Sequence, residues 1–241
     1  MRAKVAVIVG AGDAIGSAIT RKFAWRGLTV CALRRNGEKL APLVDELRGQ
    51  GHQAHAFSCD ARKEEQVIER FAAIELDIGD IDVVVFNVGA NVPLGILETD
   101  SRKFFKIWEM ACFAGFLAGR EAARYMTQRQ RGTLLFTGAT ASVRGAAGFA
   151  AFASAKHGLR ALAQSMAREL GPQNIHVAHV VIDAAVDTAW IIDNIPQAAE
   201  LKAKDGIVDP SALADNYVML YDQPRNAWTF ELDLRPWIER W

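Results

Sequence analysis

The chain has no excess of either charge, few cysteines and no long hydrophobic run. Its 28 lysines and arginines balance 28 aspartates and glutamates, so no net charge attracts nucleic acid or an anionic membrane surface. The three cysteines, Cys31, Cys59 and Cys112, lack metal-ligand spacing and fall in apolar segments. We therefore expect buried, reduced thiols and no metal site. The apolar run near the start, about six residues, is too short for a membrane span or a signal-peptide core, which predicts a cytoplasmic protein.

The composition is that of a globular protein that acts on a small molecule. Hydrophobic residues make up 51% of the 241 positions, enough for a substantial core. There is no internal repeat, low-complexity tract or Pro/Ser-rich linker, so we expect a single domain over residues 1–241. The neutral charge balance favours a small-molecule partner over nucleic acid or a membrane.

Short β-branched runs alternate with longer segments of helical period. The runs are continuously apolar, which is typical of parallel strands covered on both faces. Two long helices are predicted, one from about Ser101 to Arg129 and one from about Phe149 to Leu170. The pattern predicts a Rossmann-like, doubly wound α/β fold, with helices on both faces of a parallel sheet. Its expected strands are KVAVIV, LTVCAL, HQAHAFS, IDVVVF, GTLLFT and IHVAHVVI.

The last part of the chain has a weaker pattern. Asp209 precedes Pro210 and a helical segment, so it is expected to cap a helix. Three tryptophans, Trp228, Trp237 and Trp241, follow. We interpret them as packing or subunit-contact residues in preference to a ligand site.

A glycine-rich turn follows the first strand in the stretch VIVGAGDAIG. Gly10 permits a tight turn, Gly12 lets the backbone approach a pyrophosphate, and Gly16 lets the helix pack closely on the sheet. The phosphates would then meet free N–H groups at the N-terminus of the helix. The spacing is one residue longer than the common dinucleotide fingerprint, and an ordinary strand-to-helix turn is the alternative.

The end of the second strand indicates which dinucleotide would bind. A carboxylate there would bind the adenosine ribose and select NAD, but this sequence has Leu33, followed by Arg34 and Arg35. Two guanidinium groups suit a 2′-phosphate, because their planar fork matches its oxygens. NADP is therefore expected in preference to NAD. The alternative is that both arginines only solvate a turn.

The order of these motifs resembles that of the short-chain dehydrogenases/reductases, over nearly the whole chain. The family's glycine motif, T-G-x-x-x-G-x-G, corresponds to VGAGDAIG, SCDAR contains the aspartate expected at the adenine, and FNVG corresponds to N-N-A-G. VDT occupies the segment that contacts the nicotinamide carboxamide. The cofactor-binding residues implied by the resemblance are Gly10, Gly12, Asp13, Ile15, Gly16, Arg34, Arg35, Asp60, Ala61, Asn87, Gly89, Lys156, Val186 and Thr188.

The resemblance also implies four catalytic positions, of which one is retained. In the family a tyrosine donates the proton, a lysine four residues later lowers the phenol's pKa and holds the ribose, and a serine and an asparagine assist. Lys156 is the lysine, which puts Phe152 in the tyrosine's place. Ala139 replaces the serine and Cys112 the asparagine. No side chain in the usual position donates a proton.

Other groups near these positions are candidate substitutes. Asp183 replaces a proline at the C-terminal edge of the sheet, where ligands bind in open α/β folds, and burial there would raise its pKa. Thr140, beside Ala139, would hydrogen-bond a substrate oxygen. The alternative for both residues is a local bond that orders a loop. His157 is expected to face away from the cofactor, and His179 to lie in the core.

Two functions remain open at this point. The first is an NADP-dependent oxidoreductase with altered or weak hydride-transfer chemistry, acting on a substrate that needs little acid help, such as an activated double bond or an iminium. The second is a non-catalytic NADP(H)-binding or scaffold protein of the same fold. The resemblance implies a homodimer or homotetramer, because relatives usually assemble through their long fourth and fifth helices. The segment FFKIWEMACFAGFLAGREAARYM is apolar around much of its helix, which favours a subunit contact there.

Overall fold

The computed structural model describes residues 2–239, which form one parallel sheet flanked by helices. Over that range the sheet has seven strands in the order β3-β2-β1-β4-β5-β6-β7, and each neighbouring pair is parallel. The predicted fold class is confirmed, whereas the single domain over residues 1–241 stays a prediction. The strands are β1 (Lys4–Val9), β2 (Thr29–Arg34), β3 (Ala54–Ser58), β4 (Asp80–Phe86), β5 (Gly132–Thr137), β6 (Ile175–Ile182) and β7 (Glu231–Leu234).

The helices cover both faces of this sheet. Alternate residues of β1 show why the strands are apolar throughout: Val5, Val7 and Val9 belong to one buried cluster, and Ala6 and Ile8 to the other. Helices α3, α5 and α6 pack on the first side, and α1, α2 and α9 on the second. The helices are α1 (Ile15–Trp25), α2 (Ala41–Gly49), α3 (Glu64–Asp77), α4 (Ser101–Trp108), α5 (Ala114–Arg129), α6 (Ala150–Leu170), α7 (Ala189–Asn194), α8 (Ala198–Ala203) and α9 (Pro210–Asp222).

The long helix predicted from about Ser101 to Arg129 is divided by a π-helical turn. Residues Glu109–Phe113 form this turn between α4 and α5. A π turn inserts one extra residue into the helical ladder, and such turns occur frequently at functional sites. The apolar pattern continues through it, so periodicity alone does not distinguish it from a regular helix. Cys112, one of the candidate site residues, lies in this turn.

Strand β7 was not predicted. It pairs with β6 from Glu231 to Leu234, where the sheet would otherwise end in an exposed edge. The stretch TFELDL does alternate apolar and charged residues, which is the signal of a half-buried strand. Leu232 and Leu234 pack against the core on the α9 side, and Glu231 and Asp233 lie at the alternate positions.

The predicted cap of α9, the packing of Trp228 and the buried cysteines are confirmed, whereas a subunit contact at Trp237 stays a prediction. Asp209 caps α9, since its carboxylate accepts a hydrogen bond from Ala212 N at 2.8 Å. Trp228 stacks on His176 with ring centroids 5.0 Å apart, whereas Trp237 is largely exposed. Trp241 lies outside the described residues. The three cysteines are free and buried.

No helix between residues 2 and 239 has the length and apolar character that crossing a membrane requires.

Candidate active site

The glycine turn between β1 and α1 has the shape that a pyrophosphate needs. Gly10 has a φ of +89°, and a Cβ there would lie 2.8 Å from the Asn87 carbonyl oxygen. A Cβ on Gly16 would lie 2.5 Å from the Gly10 carbonyl oxygen, so only glycine allows the helix to start this close to the strand. A Cβ on Gly12 would meet nothing within 4 Å, which leaves this side of the loop open. These features fit the dinucleotide expected from the sequence.

A cavity of about 510 Å³ lies beside this turn, at the ends of β1, β2 and β4. Two of its cationic side chains, Arg35 and Lys39, are exposed, and neither forms an ion pair with another residue in the 2–239 range. Arg34 Nη1 lies 2.9 Å from an Asp13 carboxylate oxygen, so this guanidinium is partly neutralised. Eight of the predicted cofactor residues line the cavity: Gly10, Gly12, Arg34, Arg35, Asp60, Ala61, Asn87 and Gly89.

Asp60 is held in place by Arg62. The Arg62 guanidinium donates to both carboxylate oxygens, at 2.9 and 2.6 Å. This ion pair lowers the pKa of Asp60, so the carboxylate is ionised at neutral pH. The Asp60 backbone N–H donates to Gln66 Oε1 at 2.8 Å. Arg62 also lies 3.7 Å from Glu109 of the π turn, which connects the adenosine end of the site to the turn that carries Cys112.

A second cavity, of about 260 Å³, lies at the ends of β4, β5 and β6 and reaches α6. Asn87, Val88 and Gly89 line both cavities, so the two adjoin at the end of β4. One extended ligand can therefore occupy both. Ile15 and Val186 contribute apolar walls. Seven of its lining residues belong to the predicted catalytic and cofactor sets: Ile15, Asn87, Gly89, Ala139, Phe152, Lys156 and Val186.

Lys156 is the one ionisable side chain among the described residues that line this second cavity. It is 3% exposed, and its ammonium donates to the Thr137 carbonyl at 2.8 Å and to the Val88 carbonyl at 3.4 Å. Burial in this apolar setting lowers the pKa of Lys156 to about 8. Lys156 is therefore mostly protonated at pH 7 and releases its proton more readily than an exposed lysine does.

Phe152, whose ring lies next to Lys156, has no proton to donate. The ammonium lies 5.9 Å from the centroid of the Phe152 ring, one helical turn earlier on α6. Ala139, at the end of β5, likewise has no hydroxyl. The Thr137 hydroxyl shares a buried hydrogen bond of 2.7 Å with Tyr217, on the α9 side of the sheet. No phenol or imidazole lines this cavity among residues 2–239.

Cys112 lies behind this cavity and does not line it. Its Sγ is only 3.0 Å from where a Cβ on Gly158 would be, so the π turn packs directly on α6. Burial raises the pKa of the Cys112 thiol, although the Lys156 cation opposes this effect. The thiol is therefore neutral at ordinary pH. A cysteine also has no side-chain amide, which the family's asparagine would supply at this position.

The structure brings Asp183 and Thr140 together, although neither of them lines the cavity that Lys156 lines. Asp183 is 3% exposed, and its carboxylate accepts a hydrogen bond of 2.5 Å from the Thr140 hydroxyl. Arg144 and Arg235 each lie 3.3 Å from this carboxylate. Two guanidinium groups and a hydroxyl hold this carboxylate in place, which suits a loop anchor. Their catalytic roles stay predictions.

A second polar network lies around His179, four residues before Asp183. His179 is fully buried, and its Nδ1 lies 3.0 Å from Glu231 of β7. Glu231 in turn accepts two hydrogen bonds of 2.6 Å from Arg160 on α6. Burial lowers the pKa of His179 to about 4, so its ring is neutral at physiological pH. His157 is exposed, and its Nδ1 is 2.9 Å from the Ala153 carbonyl oxygen, outside both cavities.

The predicted residues Asp13 and Thr188 line a third cavity, of about 680 Å³, between α1, α7 and α9. Thr188 caps α7, because its hydroxyl accepts a hydrogen bond from Ile191 N at 3.1 Å. Sequence reasoning missed Lys39, Arg62 and Arg235. Lys39 had a signal, because it follows Arg34 and Arg35 in the same basic turn. Arg62 and Arg235 had no such signal in the sequence. Their roles depend on where Asp60 and β7 lie in the fold.

Comparison with known proteins agrees with this geometry. Residues 4–194 match the model of the short chain dehydrogenase family. The chain is 30% identical to 2,3-dihydro-2,3-dihydroxybenzoate dehydrogenase of Bacillus subtilis (strain 168), over 77% of this chain and 70% of that relative. It is 51% identical to the solved structure of a short-chain dehydrogenase from Rhodopseudomonas palustris, with a TM-score of 0.85 over 98% of this chain and 100% of that one. An alcohol dehydrogenase from the archaeon Thermococcus sibiricus, solved with 5-hydroxy-NADP, is 26% identical, with a TM-score of 0.86 over 98% of both chains.

Proposed function

Because the chain belongs to the short-chain dehydrogenase family, we propose that this oxidoreductase binds NADP(H) and transfers hydride to a small molecule by an altered or weakened form of the family's chemistry. The observation that carries the proposal is the pair of adjoining cavities. The adenosine side keeps its glycine turn and its cations, and the other side keeps Lys156 but has Phe152 and Ala139 where the family has hydroxyls.

The preference for NADP over NAD rests on the charges around the first cavity. Leu33 offers no carboxylate to a ribose 2′-hydroxyl, whereas Arg35 and Lys39 are exposed cations free to meet a 2′-phosphate. Arg34 is close enough to join them if it exchanges Asp13 for the phosphate. The solved relative from Thermococcus sibiricus, which contains an NADP derivative, supports the same preference.

The altered chemistry rests on the second cavity. Loss of a positioned acid typically lowers a rate by about 10²- to 10⁴-fold, and loss of a group that stabilises the developing oxyanion lowers it by a similar factor. An ordinary ketone would then react slowly. An iminium or an activated double bond needs less help from an acid, and we propose a substrate of that kind.

A non-catalytic NADP(H)-binding protein is the second candidate function. It is favoured by a specific observation, namely that the positions of Cys112, Ala139 and Phe152 have all lost the family's polar groups while the glycine turn is intact. Lys156 is compatible with both candidates, since it can hold a ribose without turnover.

Titration with NADPH and NADH, followed by nicotinamide fluorescence, tests cofactor binding and preference. We expect tighter binding of NADPH, and we expect Arg35→Ala to weaken NADPH but not NADH. A hydrogen bond to a charged group contributes about 1.5–3 kcal/mol, which corresponds to a loss of about 10- to 100-fold. Arg168→Ala is the matched control, because Arg168 is exposed and bonds only to its own helix. Equal affinity for both dinucleotides would refute the preference.

A screen for oxidation of bound NADPH against aldehydes, ketones, enones and imines then separates the two candidate functions. Oxidation with enones or imines supports the oxidoreductase. Tight NADPH binding without turnover of any of these classes supports the non-catalytic protein.

We also propose that the chain forms a homodimer or homotetramer through α4 and α5. Phe105, Trp108, Phe113 and Phe116 form a continuous ladder of stacked rings along this segment, with centroids 6.0–6.2 Å apart. Phe105 is 59% exposed, and Phe116 is 38% exposed. A second copy of the same helix pair would cover this surface. The cytoplasmic location expected from the sequence stays a prediction.

A further inference from the structure

We propose that the Lys156 ammonium itself donates the proton to the substrate oxygen when this protein reduces a carbonyl, in the position where its relatives use a phenol. The inference rests on the proposed function and deepens it. An ammonium has three N–H donors. Two of them are directed at the carbonyls of Val88 and Thr137, and the third is free to face the cavity that the side chain lines.

Phe152 makes room for this arrangement. Its ring lies beside the ammonium, with 5.9 Å between the nitrogen and the ring centroid, and it carries no oxygen to stand between Lys156 and a bound substrate. Ala139 also lines the cavity, and it has no hydroxyl where the family has a serine. A substrate carbonyl oxygen, or one water bonded to it, therefore has Lys156 as its one ionisable partner among the described residues that line the cavity.

The charged and titratable groups packed around Lys156 leave its proton available. Cys112 of the π turn has a buried thiol. His179 of β6 has a buried ring that is neutral at physiological pH. Thr137 on β5 and Val88 after β4 present backbone carbonyls. No carboxylate among residues 2–239 lies within 4.0 Å of the Lys156 nitrogen, so no ion pair fixes the cation. Its pKa of about 8 is matched to proton donation near neutral pH.

The proposed step is balanced. NADPH bound in the two adjoining cavities would supply the hydride that the carbonyl carbon gains. The C=O π electrons move to oxygen as the N–H bond of Lys156 breaks, so the oxygen gains that proton and the product is an alcohol. Lys156 is left as a neutral amine and regains a proton from solvent. Because its two carbonyl partners come from the backbone, the nitrogen stays in place in both protonation states.

The pH dependence of carbonyl reduction by the wild-type protein is the first test. We expect the rate to fall about tenfold per pH unit above pH 8, since the ammonium form is then lost. Reduction of a preformed iminium requires hydride but no proton, so we expect it to lack this decline. Reduction of iminium but not of any carbonyl would overturn the lysine as donor and leave the oxidoreductase standing. Failure to bind NADPH would overturn both.

Lys156→Arg is the second test. Arginine keeps a cation at the site but does not release its proton in the accessible pH range, so carbonyl reduction should fall by about 10²- to 10⁴-fold and lose its decline near pH 8. Calorimetric titration of NADP⁺ in buffers of different ionisation enthalpy gives a readout that needs no turnover. We expect proton release on binding at pH 8 in the wild type and none in K156R. Unchanged proton release, or an unchanged decline in rate, would overturn the proposal.

Phe152→Tyr keeps the proposal falsifiable if K156R does not fold. The new phenol would lie beside Lys156 and take over the donation. We expect faster carbonyl reduction and a decline that moves away from pH 8. A rate and pH profile identical to those of the wild type would show that the substrate oxygen does not lie at this point of the cavity, and would refute the role of Lys156.

Discussion

Replacing Gly138 with alanine tests how tightly the floor of the site is packed. A Cβ at Gly138 would overlap Nε2 of His179, lie 2.6 Å from its Cε1 and lie 2.9 Å from Ser142 Oγ. The His179 ring has no room to move, since it is fully buried and its other nitrogen is held by Glu231. Overpacking of this kind typically costs about 1–3 kcal/mol. For a chain of this size that corresponds to a drop in Tm of about 2–12 °C.

Urea unfolding and thermal unfolding measure this cost, and two further variants assign it. Gly145→Ala is the matched control, because it makes the same change in the same loop but its Cβ meets nothing within 4 Å. We expect it to change stability by less than about 1 kcal/mol. His179→Ala removes the ring that the new methyl group strikes. In that background Gly138→Ala should become nearly neutral, a coupling of about 1–3 kcal/mol. A Gly138→Ala protein as stable as the wild type would refute the packing argument, and so would a cost that persists without the ring.

Three further predictions follow from buried or exposed side chains. Tyr217→Phe leaves the buried Thr137 hydroxyl without its partner, and we expect a loss of about 1–3 kcal/mol in urea unfolding. The pKa of His179 is about 4 in the folded protein and 6.5 in the reference state, so the unfolded chain binds the extra proton between these values and stability falls on acidification. The difference in free energy of unfolding between wild type and His179→Ala should therefore become smaller as the pH falls from 6.5 towards 4, by at most about 1.4 kcal/mol per pH unit. A difference that does not change with pH would contradict this. Phe105→Glu places a charge on the ladder of rings, so we expect the variant to elute as a monomer from a sizing column. An unchanged elution volume would contradict this prediction.

The fold was predictable wherever a pattern repeats along one element. The continuous apolar run of β1 predicted a strand covered on both faces, and the helical period predicted α6 to within a residue of its observed start. The π turn at Glu109–Phe113 was not predictable, because its apolar pattern does not differ from that of a continuous helix. Strand β7 was within reach, since TFELDL alternates, but its charged residues resemble those of a surface tail.

The candidate site divides in the same way. The proximity of Lys156 and Phe152 follows from their spacing on one helix, and the structure places both at one cavity. The direction of the Asp183 side chain does not follow from its place at the end of β6. It is set by Thr140, Arg144 and Arg235, which come from other segments, and Arg235 follows a strand that was missed. The periodicity of one segment does not indicate which distant segments it will contact in the fold.

The pairing of β7 with β6 has a consequence for the order of events during synthesis. The parts of the chain that carry Asp183 and His179 leave the ribosome some fifty residues before Arg235 and Glu231 do. Until that last segment emerges, β6 exposes the imidazoles of His176 and His179, and the Asp183 carboxylate follows directly after the strand. Polar side chains on an uncovered edge strand discourage a neighbouring chain from pairing with it, and we expect the same of β6 at this stage.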